Sequence, residues 1–125
     1  MSNTLALIPL TGLPLVEPGD DIAAMLFAAT ARCAGGLRDG DLLVVAQKIV
    51  SKAEGRLVNL SEVRPSARAD ELGRELDKDS ALVEVILGES RRIVRKGGRA
   101  LIVETHHGFV SANGGVDCSN VGMGQ

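Results

Sequence analysis

The sequence predicts an α/β fold in which helices pack with a mixed (α+β) sheet. Three segments carry apolar residues at helical spacing, and short aliphatic runs of strand length lie between them. Two further runs flank Gly97-Gly98, and this arrangement predicts a β-hairpin. With 125 residues, of which 45% are hydrophobic and 24% charged, the chain fits a single globular domain over residues 1–125.

The N-terminal segment begins with a predicted strand at residues 5–10, which a run of turn-forming residues brings to an end. The turn-forming run contains Thr11, Gly12, Leu13 and Pro14. A stiff loop of this kind at a strand end can present backbone N–H groups to a ligand. A plain turn is the alternative explanation.

The first helix is predicted at residues 22–33, where apolar side chains recur at helical spacing. Asp20 is predicted to be its N-cap, and Asp21 is favourably placed near the positive end of the helix dipole. Gly35 is predicted to end the helix. Cys33 lies in the apolar pattern and is predicted to be a small buried hydrophobic residue.

A continuous aliphatic run at residues 42–46 predicts a buried strand, and Gln47, Lys48 and Lys52 follow it closely. The end of a buried strand is where α/β folds place ligand-binding groups. If the segment coils, the two lysines lie on one helical face, where their ammonium groups could hold a polyphosphate. A solvated surface is the commoner explanation of such a pair, and the glycines of a Walker A loop are missing.

The middle of the chain predicts a short strand followed by two helices. The strand covers residues 56–60, and the first helix covers residues 66–76, where a thin apolar stripe runs through a charged segment. The second helix has a stronger apolar stripe and is predicted to begin at Asp79 or Ser80.

The predicted hairpin, residues 90–105, carries the one strongly basic cluster in the sequence. A charged strand edge that resists aggregation is the commoner explanation. An anionic substrate would also be drawn to such a cluster in an otherwise acidic protein. The basic residues are Arg91, Arg92, Arg95, Lys96 and Arg99.

Residues 106–120 form a segment that is too polar and too rich in glycine for a core strand. Gly114 and Gly115 allow positive φ angles and a close approach to a ligand. Asp117 supplies a hard oxygen ligand of the kind that Mg²⁺ or Mn²⁺ takes, although one carboxylate does not make a metal site. A solvated turn is the alternative explanation. Cys118 is a conceivable nucleophile, but no base is positioned in the sequence to activate it.

Composition excludes several functional classes. The net charge of −2 and the absence of Trp and Tyr argue against nucleic-acid binding, because such proteins use basic surfaces and aromatic stacking. Two distant cysteines indicate neither a disulfide framework nor a zinc site. The N-terminus does not resemble a signal peptide, and no apolar run is long enough for a membrane span. We therefore expect a cytoplasmic protein that does not bind membranes.

Several segments resemble the coenzyme F420:L-glutamate ligase (F420-0:γ-glutamyl ligase) family. The resemblance covers residues 11–120 in the order of the family and is carried by the segments GLPLVEPGDDIA, KIVSKAEGR, ILGESRRIVR and HGFVSANGGVDCSN. Two departures from the family pattern occur, since Ser or Thr is common near Gln47 and Ala is common where Gly114 stands. The resemblance covers the N-terminal half of the ligase domain.

The resemblance implies a GTP-dependent ligase that adds L-glutamate, by a γ-linkage, to the deazaflavin coenzyme F420-0. It also implies Mg²⁺ or Mn²⁺, stimulation by K⁺, and an unusual α/β fold in which two chains intertwine as a homodimer. By position, the nucleotide-binding loop corresponds to Thr11, Gly12, Leu13 and Pro14. Further nucleotide contacts correspond to Gln47, Lys48, Lys52 and Asn120, and the first metal ligand to Asp117.

The resemblance assigns no catalytic residue in this chain. His106 and His107 are candidates for proton transfer, or for ordering the loop that contains them. Since the family's other metal ligands lie beyond position 125, we expect this chain by itself to bind metal weakly and not to turn over. The chain would then be one part of a longer enzyme. The resemblance allows that enzyme to be bifunctional and to carry a flavin-reductase-like domain as well, as some family members do. The alternative is a catalytically silent nucleotide- or metal-binding module, or a fragment, that acts with a partner chain.

Overall fold

The computed structural model describes residues 4–119. This part of the chain contains helices and a sheet, as predicted, but the sheet is antiparallel and not mixed. The chain divides into two compact units between Leu57 and Val58, and each is described separately. The helices are α1 (Ile22–Ala34), α2 (Gln47–Ala53), α3 (Ala67–Leu76) and α4 (Ser80–Gly88), and the strands are β1 (Ser90–Gly97), β2 (Ala100–Thr105) and β3 (Val110–Ala112).

In the second unit, the three strands form one antiparallel sheet in the order β1-β2-β3. The predicted hairpin is confirmed, but its turn lies one residue further along the chain. Gly97 pairs with Ala100, so that Gly98 and Arg99 make the turn, and Gly98 has the positive φ of 56°. Strand β3 was not predicted, because three residues are too few for a periodic signal.

The core of the second unit lies between the sheet and helices α3 and α4. Buried side chains alternate along β2, as expected for a sheet with one covered face. Leu101 and Val103 of that strand are fully buried and pack with Leu76 of α3 and Ile86 of α4. A second buried cluster holds α3 against α4 and contains Ala69, Leu72 and Val83.

Helices α3 and α4 begin as the sequence predicts. Asp79 accepts hydrogen bonds from two N–H groups in the first turn of α4, which settles the choice between Asp79 and Ser80 as the N-cap. The Ser66 hydroxyl accepts from Ala69 N (3.2 Å) and donates to Glu84 Oε2 (2.6 Å), so that the start of α3 is tied to α4. The hydrogen bonds from the Ser66 side chain and backbone lower the pKa of Glu84.

In the first unit, α1 confirms the predicted helix with one correction at its N-terminus. The N-cap is Asp21, whose Oδ1 accepts from Ala24 N at 3.0 Å, and not Asp20. The Asp20 carboxylate instead accepts from Glu17 N at 2.8 Å and closes the preceding turn. The helix ends as predicted, with Gly35 in the left-handed conformation at φ 71°.

No helix in residues 4–119 is long and apolar enough to span a membrane.

The strands predicted at residues 5–10, 42–46 and 56–60 are wrong, since none of these segments is a strand. The aliphatic run at residues 42–46 predicts burial as well, yet Leu42 and Val44 are 90% and 96% exposed. A strand needs a neighbouring strand to satisfy its backbone hydrogen bonds. In the described residues, the strands pair only within β1, β2 and β3.

Two helical glycines provide a test of the α3–α4 packing. A Cβ on Gly73 would lie 2.9 Å from both Lys78 O and Ser80 Oγ, whereas a Cβ on Gly88 would meet no atom within 4 Å. Alanine is preferred to glycine in a helix interior by about 1 kcal/mol, but overpacking costs about 1–3 kcal/mol. We expect Gly73→Ala to lower the free energy of unfolding in urea and Gly88→Ala to leave it unchanged or raise it. Equal stability of Gly73→Ala and the wild type would contradict the close packing.

Candidate functional site

The predicted nucleotide loop, Thr11 to Pro14, contacts the last turn of α1. Gly12 has a positive φ of 71°, which other residues rarely adopt, and its carbonyl accepts from Arg32 Nη2 at 3.4 Å. The sulfur of Cys33 lies 3.7 Å from Thr11 O and 3.8 Å from Thr11 Oγ1. Cys33 is therefore a half-buried polar contact, and the prediction that it is a buried apolar residue is wrong.

The second predicted group lies on α2 in the same unit. The segment coils from its first residue, which places Lys48 and Lys52 four residues apart on one helical face, as predicted. Gln47 donates from Nε2 to Ser51 Oγ at 3.0 Å. Gly19 N donates to Ala53 O at 2.8 Å, so that the turn before α1 contacts the last residue of α2.

The loop that contains Asp117 belongs to the second unit and is fixed to the sheet by Asn113. The Asn113 side chain accepts from Leu101 N at 3.2 Å, and its carbonyl accepts from Val116 N at 3.0 Å. Gly114 and Gly115 have positive φ angles of 61° and 77°, as predicted. A Cβ on Gly114 would lie 3.3 Å from a methyl group of Val103, so that the backbone here packs closely on the core.

Asp117 is exposed, and its carboxylate organises a short turn. Oδ1 accepts from Ser119 N at 2.9 Å, and Oδ2 accepts from Ser119 Oγ at 2.7 Å. Within residues 4–119, no group of three or more His, Cys, Asp or Glu side chains is placed to hold a metal ion. Asn120, the remaining predicted nucleotide contact, lies outside the described residues.

Two other candidates have structural explanations. His106 Nε2 lies 2.9 Å from Gly88 O, a contact that joins its loop to the end of α4 and favours the ordering role over proton transfer. Most of the basic hairpin residues pair with carboxylates, which favours the explanation of a charged strand edge. The pairs are Arg91 and Arg92 with Glu104 (3.8 and 2.6 Å), Lys96 with Glu75 (2.7 Å) and Arg99 with Asp77 (3.2 Å).

Sequence reasoning did not single out Arg32 or Asn113. Arg32 lies twenty positions from the residue that it contacts, and the sequence carries no signal of this contact. Asn113 had a partial signal, since asparagine tolerates the left-handed conformation that it adopts here at φ 54°. Its side-chain contact with β2 could not be inferred without the sheet.

Comparison with known proteins identifies close relatives. The family model described as F420-0:Gamma-glutamyl ligase matches residues 12–125. A protein of Methanothermobacter thermautotrophicus named Coenzyme F420:L-glutamate ligase is 48% identical over 120 residues, which are 96% of this chain and 48% of that protein. The protein of that name from Methanopyrus kandleri is 44% identical over 121 residues, 97% of this chain and 46% of its own length. The chain therefore spans about half the length of the curated relatives it matches.

The Asn113 contact generates a prediction about the loop that carries Asp117. Asn113→Gly removes the acceptor for the N–H of the buried residue Leu101 without straining the positive φ, and an unsatisfied buried donor costs about 1–3 kcal/mol. We therefore expect the free energy of unfolding in urea to fall by about 1–3 kcal/mol. Asn113→Asp, which keeps an acceptor oxygen, serves as the control and should lose less than half as much. Equal losses in the two variants would show that the hydrogen bond does not hold the loop.

Proposed function

The chain belongs to the F420-0:γ-glutamyl ligase family, and we propose that it supplies the N-terminal part of an enzyme that joins L-glutamate to coenzyme F420-0 through a γ-linkage. The observation that carries this proposal is the 48% identity over 96% of the chain to a protein named Coenzyme F420:L-glutamate ligase. The substrates F420-0 and L-glutamate follow from that name.

The proposed reaction requires activation of a carboxylate, because a carboxylate does not react with an amine in water. We propose that GTP transfers its γ-phosphoryl group to the carboxylate of F420-0, which gives an acyl phosphate and releases GDP. The amine of L-glutamate then attacks the acyl carbon, loses a proton and displaces inorganic phosphate. Phosphoryl transfer is catalysed chiefly by positioning the reactants and neutralising their charge.

The nucleotide would bind in the first unit. The backbone at Gly12 is exposed and has the open conformation that lets a phosphate approach closely. Lys48 and Lys52 present two positive charges from one face of α2, which suits a polyphosphate. Thr11, Leu13, Pro14 and Gln47 complete the proposed contacts in the described residues, and Asn120 remains a predicted contact.

The metal would bind at Asp117. Its carboxylate is a hard oxygen donor that suits Mg²⁺ or Mn²⁺, and such an ion neutralises phosphate charge when it is bound. The rest of its coordination shell would come from ligands other than the side chains described here. We also propose that K⁺ stimulates the enzyme, and we assign no residue to K⁺ binding.

We further propose that the active form is a homodimer. Five aliphatic side chains of the first unit are at least 84% exposed, and contact with a second copy of the chain would remove them from water. They are Leu5, Leu7, Leu15, Leu42 and Val44.

Sedimentation velocity should give a mass of twice 13.0 kDa, and Val44→Lys should shift the protein toward the monomer. A wild-type chain that sediments as a monomer at all concentrations would eliminate the homodimer.

The nucleotide assignment is tested by calorimetric titration of GTP in the presence of Mn²⁺. A hydrogen bond to a charged group contributes about 1.5–3 kcal/mol, so Lys48→Ala and Lys52→Ala should each raise the dissociation constant about tenfold or more. Asp117→Asn should remove the dependence of binding on Mn²⁺. Lys78→Ala and Asp39→Asn remove the same charges elsewhere and should bind like the wild type. Equal weakening by the control variants would show a general charge effect and no defined site.

An assay of glutamyl transfer distinguishes a ligase from a catalytically silent binding module. We would replace the matching 120 residues of the Methanothermobacter thermautotrophicus relative with this chain and measure F420-0 glutamylation by mass spectrometry. The ligase proposal predicts that the chimera adds glutamate. A folded chimera that binds GTP but adds none, beside an active parent enzyme, would favour the silent module.

A further inference from the structure

Arg32 stands out because its side chain reaches the predicted nucleotide loop although no motif includes it. It lies in the last turn of α1, and its Nη2 donates to the Gly12 carbonyl at 3.4 Å. A Cβ built on Gly12 would lie 3.9 Å from the same nitrogen, so the guanidinium packs directly against the Gly12 backbone. The neighbouring Cys33 sulfur contacts Thr11. Two consecutive residues of α1 therefore hold two consecutive residues of the loop.

The charge of Arg32 is also available to an anion. Its side chain is exposed, and within residues 4–119 no carboxylate forms an ion pair with it. This differs from Arg92, Lys96 and Arg99 of the hairpin, each of which has a carboxylate within 3.2 Å. A guanidinium has five N–H donors, and the contact with Gly12 uses one of them. The others remain for an oxyanion beside the loop.

We propose that Arg32 is a positioning residue for the nucleotide, which holds the Gly12 backbone in its left-handed conformation and adds a positive charge beside the loop. The inference rests on the proposed nucleotide site and adds to it a residue from α1. A loop that is ordered before binding loses less conformational entropy when the ligand arrives, and affinity rises accordingly. Lysine cannot reproduce the planar fork of arginine, so it should restore the charge but only part of the contact.

The test uses three variants of the 125-residue chain and two measurements. Arg32→Gln removes the charge and the guanidinium, Arg32→Lys keeps the charge, and Arg38→Gln is the control, because Arg38 is exposed and lies in the loop after α1. The first measurement is the ¹⁵N relaxation order parameter of Gly12 without nucleotide. The second is the dissociation constant of GTP with Mn²⁺. Circular dichroism checks that each variant is folded.

In Arg32→Gln, we expect the Gly12 order parameter to fall from a value typical of rigid backbone, about 0.85, toward the flexible range below about 0.6. We expect the dissociation constant of GTP to rise about tenfold. Arg32→Lys should give intermediate values in both measurements, and Arg38→Gln should match the wild type.

Two results would overturn the inference while leaving the proposed nucleotide site intact. One is an unchanged Gly12 order parameter in Arg32→Gln, and the other is an unchanged GTP affinity in that variant. Absence of GTP binding both by the wild-type chain and by the chimera with the Methanothermobacter thermautotrophicus relative would overturn the nucleotide site itself and the role of Arg32 with it. These two titrations therefore distinguish the failure of the two proposals.

Discussion

The second unit depends on the burial of one face of β2. Leu101 and Val103 are fully buried and pack with Leu76 of α3 and Ile86 of α4, and this aliphatic packing orients both the helices and the hairpin. Two aromatic residues in the whole chain leave no other source of a large apolar contact. This core also fixes the position of the loop that carries Asp117, because the Asn113 side chain accepts a hydrogen bond from Leu101 N.

The first unit is organised differently. Of its described residues, only Ala29 and Thr30 are buried, while several long aliphatic side chains are exposed. Its local order comes from caps and polar contacts, such as Asp21 on α1 and the contact of Arg32 with Gly12. The same unit contains the predicted nucleotide loop and the lysine pair on α2. A site with so little core of its own fits an enzyme completed by further protein surface, which is why we propose the homodimer.

The chain spans about half the length of its curated relatives, and we therefore propose that it forms one part of a ligase. The chain contains residues suited to phosphate and one carboxylate suited to a divalent ion, but its described part does not bring three His, Cys, Asp or Glu side chains together to hold a metal. Charge neutralisation in phosphoryl transfer needs several groups around the same phosphates. The family relationship therefore supports a ligase, whereas the local chemistry of these residues supports nucleotide binding as the step to measure first.

The sequence by itself determined the features that depend on neighbouring residues along the chain. The helices around Ser66, Asp79 and Gly35, the hairpin, the positive φ of Gly114 and the common face of Lys48 and Lys52 follow from capping, turn and periodicity rules, and each agrees with the structure.

Only the tertiary structure decided the features that need a distant partner. Residues 5–10, 42–46 and 56–60 have strand-like composition, yet they form no strand, because strand formation depends on hydrogen bonds to another segment. The contacts of Arg32 with Gly12, of Asn113 with Leu101 and of Arg92 with Glu104 likewise join residues 12 or more positions apart. A local pattern does not record such pairs, since their energy depends on where the fold brings the two side chains.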